Sequence, residues 1–83
     1  MHWDEEYQRA DAEMMKLYQT LVGSDPTDKK KLRAAQKAWL AYRDAGADAV
    51  REDWEGGSGQ NAAANSALAI LTRERIRDLK EWF

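Results

Sequence analysis

Hydrophobic positions recur along this chain at intervals of three and four, the period of an α-helix with one face turned inward. Trp3, Tyr7, Ala10, Met14, Leu17 and Leu21 keep that spacing, and Tyr18 and Val22 widen the stripe. The pattern predicts a first helix from about Asp4 to Val22. Asp4 is its expected N-cap, Glu5 and Glu6 suit the positive end of the dipole, and Gly23 can take a positive φ past its end.

A turn signal, Ser24-Asp25-Pro26-Thr27-Asp28, separates this stripe from a second one through Leu32, Ala35, Trp39, Tyr42, Ala49 and Val50. With Asp25 as cap, Pro26 at the first position and Asp28 in the first turn, the second helix is expected from Pro26 to about Trp54. The short connection predicts antiparallel packing of helices one and two. Leu32, Ala35, Trp39 and Tyr42 read as the buried stripe; Arg33, Lys37, Arg43 and Asp44 lie off it, and Gln36 borders it. At about 1.5 Å per residue the helix would span roughly 43 Å. It should project beyond its partners or kink, with Gly46 as the weak point and the place for a close helix crossing.

The clear loop is Glu55-Gly56-Gly57-Ser58-Gly59-Gln60-Asn61, in which Asn61 or Ser58 can cap the helix that follows. Leu68, Thr72, Ile76, Leu79 and Phe83, flanked by Leu71 and Trp82, predict that helix from about Ala62 to Trp82. Ala62-Ala63-Ala64 adds little bulk, so its backbone could lie close to helix two. The expectation is an all-α fold, one domain over residues 1–83 with three helices running up-down-up. Its expected core is Tyr7, Met14, Leu17, Leu21, Leu32, Trp39, Tyr42, Leu68, Ile76 and Leu79.

Composition narrows the chemistry. A chain of 83 residues buries only about 60% of its unfolded surface, so four Trp, three Tyr and one Phe must anchor the core. The absence of cysteine excludes disulfides, thiolate metal sites and a thiol nucleophile. No apolar run approaches the roughly 20 residues of a membrane span. Met1-His2-Trp3-Asp4 leads directly into a charged helix without an export leader, as in a cytosolic protein or a mature form without its leader.

Catalytic candidates are few. His2, the single histidine, reads as a solvated residue beside the N-terminus. Asp44 and Asp48 share a helix face suited to a cation or to acid–base work, but without further ligands they read as surface carboxylates, Asp44 paired with a nearby base. The Gly-Gly-Ser-Gly loop lacks the Gly-Lys-Ser/Thr ending of a phosphate loop and follows no strand signal. Lys29, Lys30, Lys31, Arg33 and Lys37, with Arg73, Arg75, Arg77 and Lys80, could neutralise phosphates. Asp25, Asp28, Asp78 and Glu81 interleave with them, so nucleic acid is not favoured. No enzyme activity, cofactor or metal is expected.

Charge is unevenly distributed. Residues 1–13 and 44–55 hold ten acids and two bases, a net −8, and the remainder carries +6. Up-down-up packing would bring the two acidic segments together beside the glycine loop. Along helix two, Lys29 to Lys31 and Glu52, Asp53 and Glu55 mostly oppose the macrodipole, at about 0.3–1 kcal/mol per charge. A basic partner at the acidic pole would account for that arrangement. Plain solvation of both poles would also account for it.

Three segments, taken in order, resemble the LprI-like family of bacterial lysozyme inhibitors. They are Tyr7 with Ala10-Asp11-Ala12-Glu13 and Tyr18; Leu32 to Ala45, including Trp39-Leu40-Ala41-Tyr42-Arg43-Asp44; and Gly56-Gly57-Ser58 followed by Leu71 to Leu79. The resemblance implies a small helical domain, periplasmic or secreted, that obstructs the cleft of lysozyme, a basic enzyme, and has no catalysis of its own. The chain departs from the family where cysteines are usual, carrying Ala47 and Ala67 instead and lacking an early cysteine near the start of helix one. Disulfides there would contribute about 2–4 kcal/mol, which packing must replace. A cysteine-free relative and a redesigned sequence would share this pattern.

Exposure and charge place the expected contacts at Asp53, Glu55, Gly56, Gly57 and Ser58, with Glu52 and Gln60 in support. The rival reading is a non-catalytic structural or interaction module of the same fold that does not inhibit lysozyme. Oligomeric state stays open, because the helix-one seam could pack within the chain or against a second copy.

Overall fold

A computed structural model describes residues 2–57 and 59–83. It contains three helices, α1 (Trp3–Val22), α2 (Lys30–Asp53) and α3 (Gln60–Trp82), and no strand among the described residues. The fold is all-α. Cross-helix contacts establish the up-down-up course: Gln36 on α2 reaches Met14 of α1 and Arg75 of α3, whereas Arg43 reaches Asp11 and Thr72. Rising numbers on α2 therefore meet falling numbers on both neighbours.

α1 begins one residue earlier than expected, with His2 at the N-cap and Asp4, Glu5 and Glu6 in the first turn. The acids sit where the dipole favours them. At the other end Gly23 takes φ +73° and its amide donates to the Gln19 carbonyl at 3.1 Å.

The start of α2 differs from the expected one. Pro26 does not open the helix, which begins at Lys30. Asp25 uses its side chain on a local turn instead: Oδ1 accepts the Thr27 amide at 2.9 Å and the Thr27 hydroxyl at 2.8 Å. These bonds lower the Asp25 pKa, because each favours the ionised carboxylate. Arg33 fastens the turn by donating to the carbonyls of Asp25 and Asp28. Lys29 then enters α2 in the left-handed region at φ 55°, and no side chain caps the helix.

α3 lies between the other two helices, and the closest backbone approaches are α1 with α3 and α2 with α3. The expected direct pairing of α1 with α2 is made instead through long side chains. The cause is side-chain size: α3 turns small residues, including buried Ala64 and Ala69, toward its neighbours. Tyr7, Met14, Gln36 and Arg43 fill the space between α1 and α2.

The apolar core is Met14, Val22, Leu32, Ile76 and Leu79, with Leu17, Tyr18, Leu21, Trp39 and Leu40 packed against it. Tyr7 is half-buried, and Leu68 is buried nearer the start of α3. Tyr42 is not a core residue; it is 63% exposed. The inward face of α2 is Leu32, Gln36, Arg43 and Ala47, flanked by Trp39, Leu40, Gly46 and Val50, whereas Ala35 and Ala49 face solvent. The helix is rotated away from the expected stripe because two polar residues, Gln36 and Arg43, occupy buried positions. Phe83 and Trp82 are also exposed rather than part of the α3 stripe, as they sit at the helix end beyond the reach of α1 and α2.

α2 runs without a break through Gly46. A Cβ added at Gly46 would lie 3.8 Å from Leu71 Cδ1, an ordinary contact, so no close crossing requires glycine there.

Candidate partner-binding groove at the acidic end

Arg43 fixes the helices behind this end of the molecule. Its guanidinium is almost wholly buried, lying 5.3 Å from the Tyr7 ring centroid and 5.5 Å from that of Trp39. It donates to Asp11 at 2.9 Å and to Asp44 at 3.0 Å, with Thr72 at 3.4 Å. Burial disfavours the charge, but the bonds to Asp11 and Asp44 outweigh it and hold the group above its ordinary pKa. Burial, in contrast, raises the Tyr7 pKa.

Arg75 extends the network. Its guanidinium lies 5.7 Å from the Trp39 ring and donates to Gln36 Oε1 at 3.0 Å, while Gln36 donates to Met14 Sδ. Burial lowers the Arg75 pKa, partly offset by Asp78, and Nη2 has no partner among the described residues. Arg73 joins α3 to α1 through Glu6 and Glu13, and those carboxylates raise its pKa. Arg73 and Arg75 are therefore engaged within the fold, which reduces the basic surface considered for phosphate binding.

Asp44 and Asp48 do not converge on a common ligand. Asp44 pairs with Arg43 and Asp48 with Arg51, the latter at 2.9 Å. Among the described residues no group of three His, Cys, Asp or Glu side chains could hold a metal. His2 is exposed ahead of α1.

Beyond this network, the start of α1, the end of α2 and the start of α3 converge on an open groove of about 490 Å³. Trp3, Val50, Trp54 and Ile70 supply its large apolar surface, while Ala62, Ala63 and Ala67 leave the space between them. Trp54 and Ile70 are each about half exposed. This end of the molecule thus presents small side chains and an accessible cleft.

The connection from α2 to α3 is tightly wound beside the groove. The Trp54 carbonyl accepts from the Gly57 amide at 2.9 Å, and a Cβ at Gly57 would come within 3.1 Å of that same carbonyl. The Trp54 ring lies on Gly59, where a Cβ would approach it to 3.3 Å. Glycine at these positions lets the loop fold under the indole.

Glu52, Asp53, Glu55, Gly56 and Gly57 are exposed at the end of α2 and in this loop. Ser58 lies outside the described residues. Gln60 acts within the fold, where its side-chain amide donates to the Arg51 carbonyl at 2.8 Å and satisfies a group at the end of α2. Arg9, Arg43, Arg51 and Arg73 all pair with acids, whereas Asp4, Glu52, Asp53 and Glu55 have no ion-pair partner among the described residues.

Charge along the chain pointed to a contact surface at this end but gave no sign of the groove. Trp3 belonged to the α1 seam, Trp54 to the end of a helix, and Ile70 lay outside the α3 stripe. A large apolar residue outside its helix's stripe, as Ile70 is, was the available signal.

No helix among the described residues is long and apolar enough to cross a membrane. A family model described as lysozyme inhibitor LprI matches residues 1–79. An uncharacterized protein of Rhizobium meliloti is 35% identical over 92 residues, covering 94% of this chain and 66% of the relative, so the chain spans slightly less than two thirds of that protein. No solved structure matches the chain. The order of the three segments and the extent of the match agree: the chain belongs to the lysozyme inhibitor LprI family.

Proposed function

We propose that this protein is a non-catalytic, lysozyme-inhibitor-like binding domain whose acidic end meets a basic partner, with lysozyme as the first candidate. The observation that carries this reading is the exposed set Asp4, Glu52, Asp53 and Glu55 around the loop, without ion-pair partners among the described residues, in a chain of an inhibitor family. Such carboxylates leave a negative field that accelerates encounter with a positive surface and suppresses negatively charged competitors. Glu52, Asp53, Glu55, Gly56, Gly57 and Ser58 form the proposed contact surface, and Gln60 supports it by holding the loop to α2. A periplasmic or secreted location belongs to the same proposal.

Inhibition on this reading is obstruction. The partner's cleft is closed by the loop and the helix ends beside it, and no bond is made or broken. A titration of lysozyme-catalysed cell-wall lysis at low ionic strength tests the proposal. Activity should fall with added protein and recover as salt is raised. Unchanged lysis at excess protein would favour the rival reading, an interaction module of the same fold with another partner.

A further inference from the structure

We propose that the groove lined by Trp3, Val50, Trp54 and Ile70 is an anchor site for one large apolar side chain of a partner protein, carried on a segment with Lys or Arg on both sides. The inference rests on the reading of the acidic end as a protein-binding surface and specifies what that surface recognises.

A groove of about 490 Å³ has room for an aromatic or long aliphatic side chain. Its walls offer two indoles, a valine and an isoleucine, the surface from which binding hot spots are commonly made. Ala62, Ala63 and Ala67 also line it and add little bulk. Asp4 adjoins Trp3 in sequence, and Asp53 and Glu55 adjoin Trp54; all three are exposed and without an ion-pair partner among the described residues, so negative charge gathers at the same helix ends that form the groove. The bases on the flanking helix surfaces are already engaged, Arg51 with Asp48 and Arg9 with Glu5 and Glu6. An apolar side chain between basic neighbours therefore fits in both shape and charge.

Two other occupants fit less well. A second copy docked through the same face would set these carboxylates against their counterparts, and like-charge juxtaposition opposes such a dimer. An acidic segment would meet the same repulsion.

The test uses the whole chain and two short peptides: one with a single Phe between two pairs of lysines, and its Ala-for-Phe counterpart. In a titration followed by amide NMR shifts, the Phe peptide should move Val50, Trp54, Ala63, Ala67 and Ile70 and bind at least about tenfold more tightly than the Ala peptide. Equal binding of the two peptides would overturn the anchor while leaving an electrostatic surface. Absence of binding would overturn it as well.

Ile70→Arg places a charge on the exposed groove wall without removing a core side chain. It should abolish the preference for Phe while leaving helicity and thermal midpoint close to those of the parent; a retained preference would overturn the proposal. Trp54→Ala is the second variant: it should also abolish the preference for Phe, with a lower thermal midpoint because the indole packs on the Gly59 turn; a retained preference would likewise overturn the proposal. Light scattering of the free protein completes the test: a dimer dispersed by Ile70→Arg would assign the groove to a second copy and overturn the proposal. The lysozyme titration stands apart. Its failure removes that enzyme as partner, whereas failure of the peptide preference removes the anchor alone.

Discussion

Arg43 and Asp44 are adjacent in sequence and contribute very differently. Arg43 is buried between two rings and joins α1 to α3, whereas the Asp44 side chain is mostly exposed. Arg43→Ala removes the centre of that network and should cost about 3 kcal/mol, at the lower end for a broken buried pair because Asp11 can regain water. Arg43→Lys retains charge but cannot match the planar fork or stack between the rings, and should cost about 2 kcal/mol. Asp44→Ala and Tyr42→Ala should each change stability by less than about 1 kcal/mol. Urea denaturation midpoints of the four variants check this ordering.

Asp25 provides a pH-dependent prediction at the same scale. Its folded pKa is lowered, mainly by the Thr27 amide and hydroxyl. Its contribution is therefore complete above the ordinary carboxylate range near pH 3.9 and is lost as pH falls through the lower folded value. Carbon-detected NMR of the Asp25 carboxyl should show a midpoint below about 3.9, and Thr27→Val should move it upward.

At the scale of the elements, α2 carries two avoidable costs. Gly46 is an interior helix residue facing Leu71 with room for a methyl group. Gly46→Ala should stabilise the fold by about 0.5–1 kcal/mol. For a domain of this size that corresponds to roughly 4–8 °C per kcal/mol in thermal midpoint, measurable by circular dichroism. Lys29 occupies the left-handed region with a side chain, so Lys29→Gly should also raise the midpoint.

The three helices and their order were legible because periods of three and four persist along the chain and the glycine loop interrupts them. Two details were not. Pro26 and Asp25 have the composition of a helix start, but a local turn competed successfully for the Asp25 carboxylate. The inward face of α2 was misread because hydropathy assigns Gln36 and Arg43 to solvent. Their burial becomes tolerable only when Met14, Arg75, Asp11 and Thr72 arrive from other helices.

Over the whole molecule, the core of large side chains gathers Met14, Val22, Leu32, Ile76 and Leu79, while the acidic end is built from alanines around a groove. On the proposed reading, stability and recognition are thereby separated in space. On the inhibitor reading, replacing Glu52, Asp53 and Glu55 together with lysines should leave the thermal midpoint within a few degrees, since none is paired among the described residues. The same replacement should slow association with lysozyme by at least about tenfold at low salt, and the difference should shrink at about 1 M salt, where the Debye length is near 3 Å. Stopped-flow association rates at two ionic strengths check both statements.

Sequence by itself determined the all-α class, the three helical segments, the unequal charge of the two poles and the family resemblance, since each depends on spacing or composition along the chain. Tertiary structure decided which face of α2 is buried, that α3 lies between its neighbours, and that Trp3, Trp54 and Ile70 share one groove. Those outcomes depend on residues far apart in sequence. A guanidinium can be buried when two carboxylates and two rings surround it, and a groove exists only where three helix ends meet.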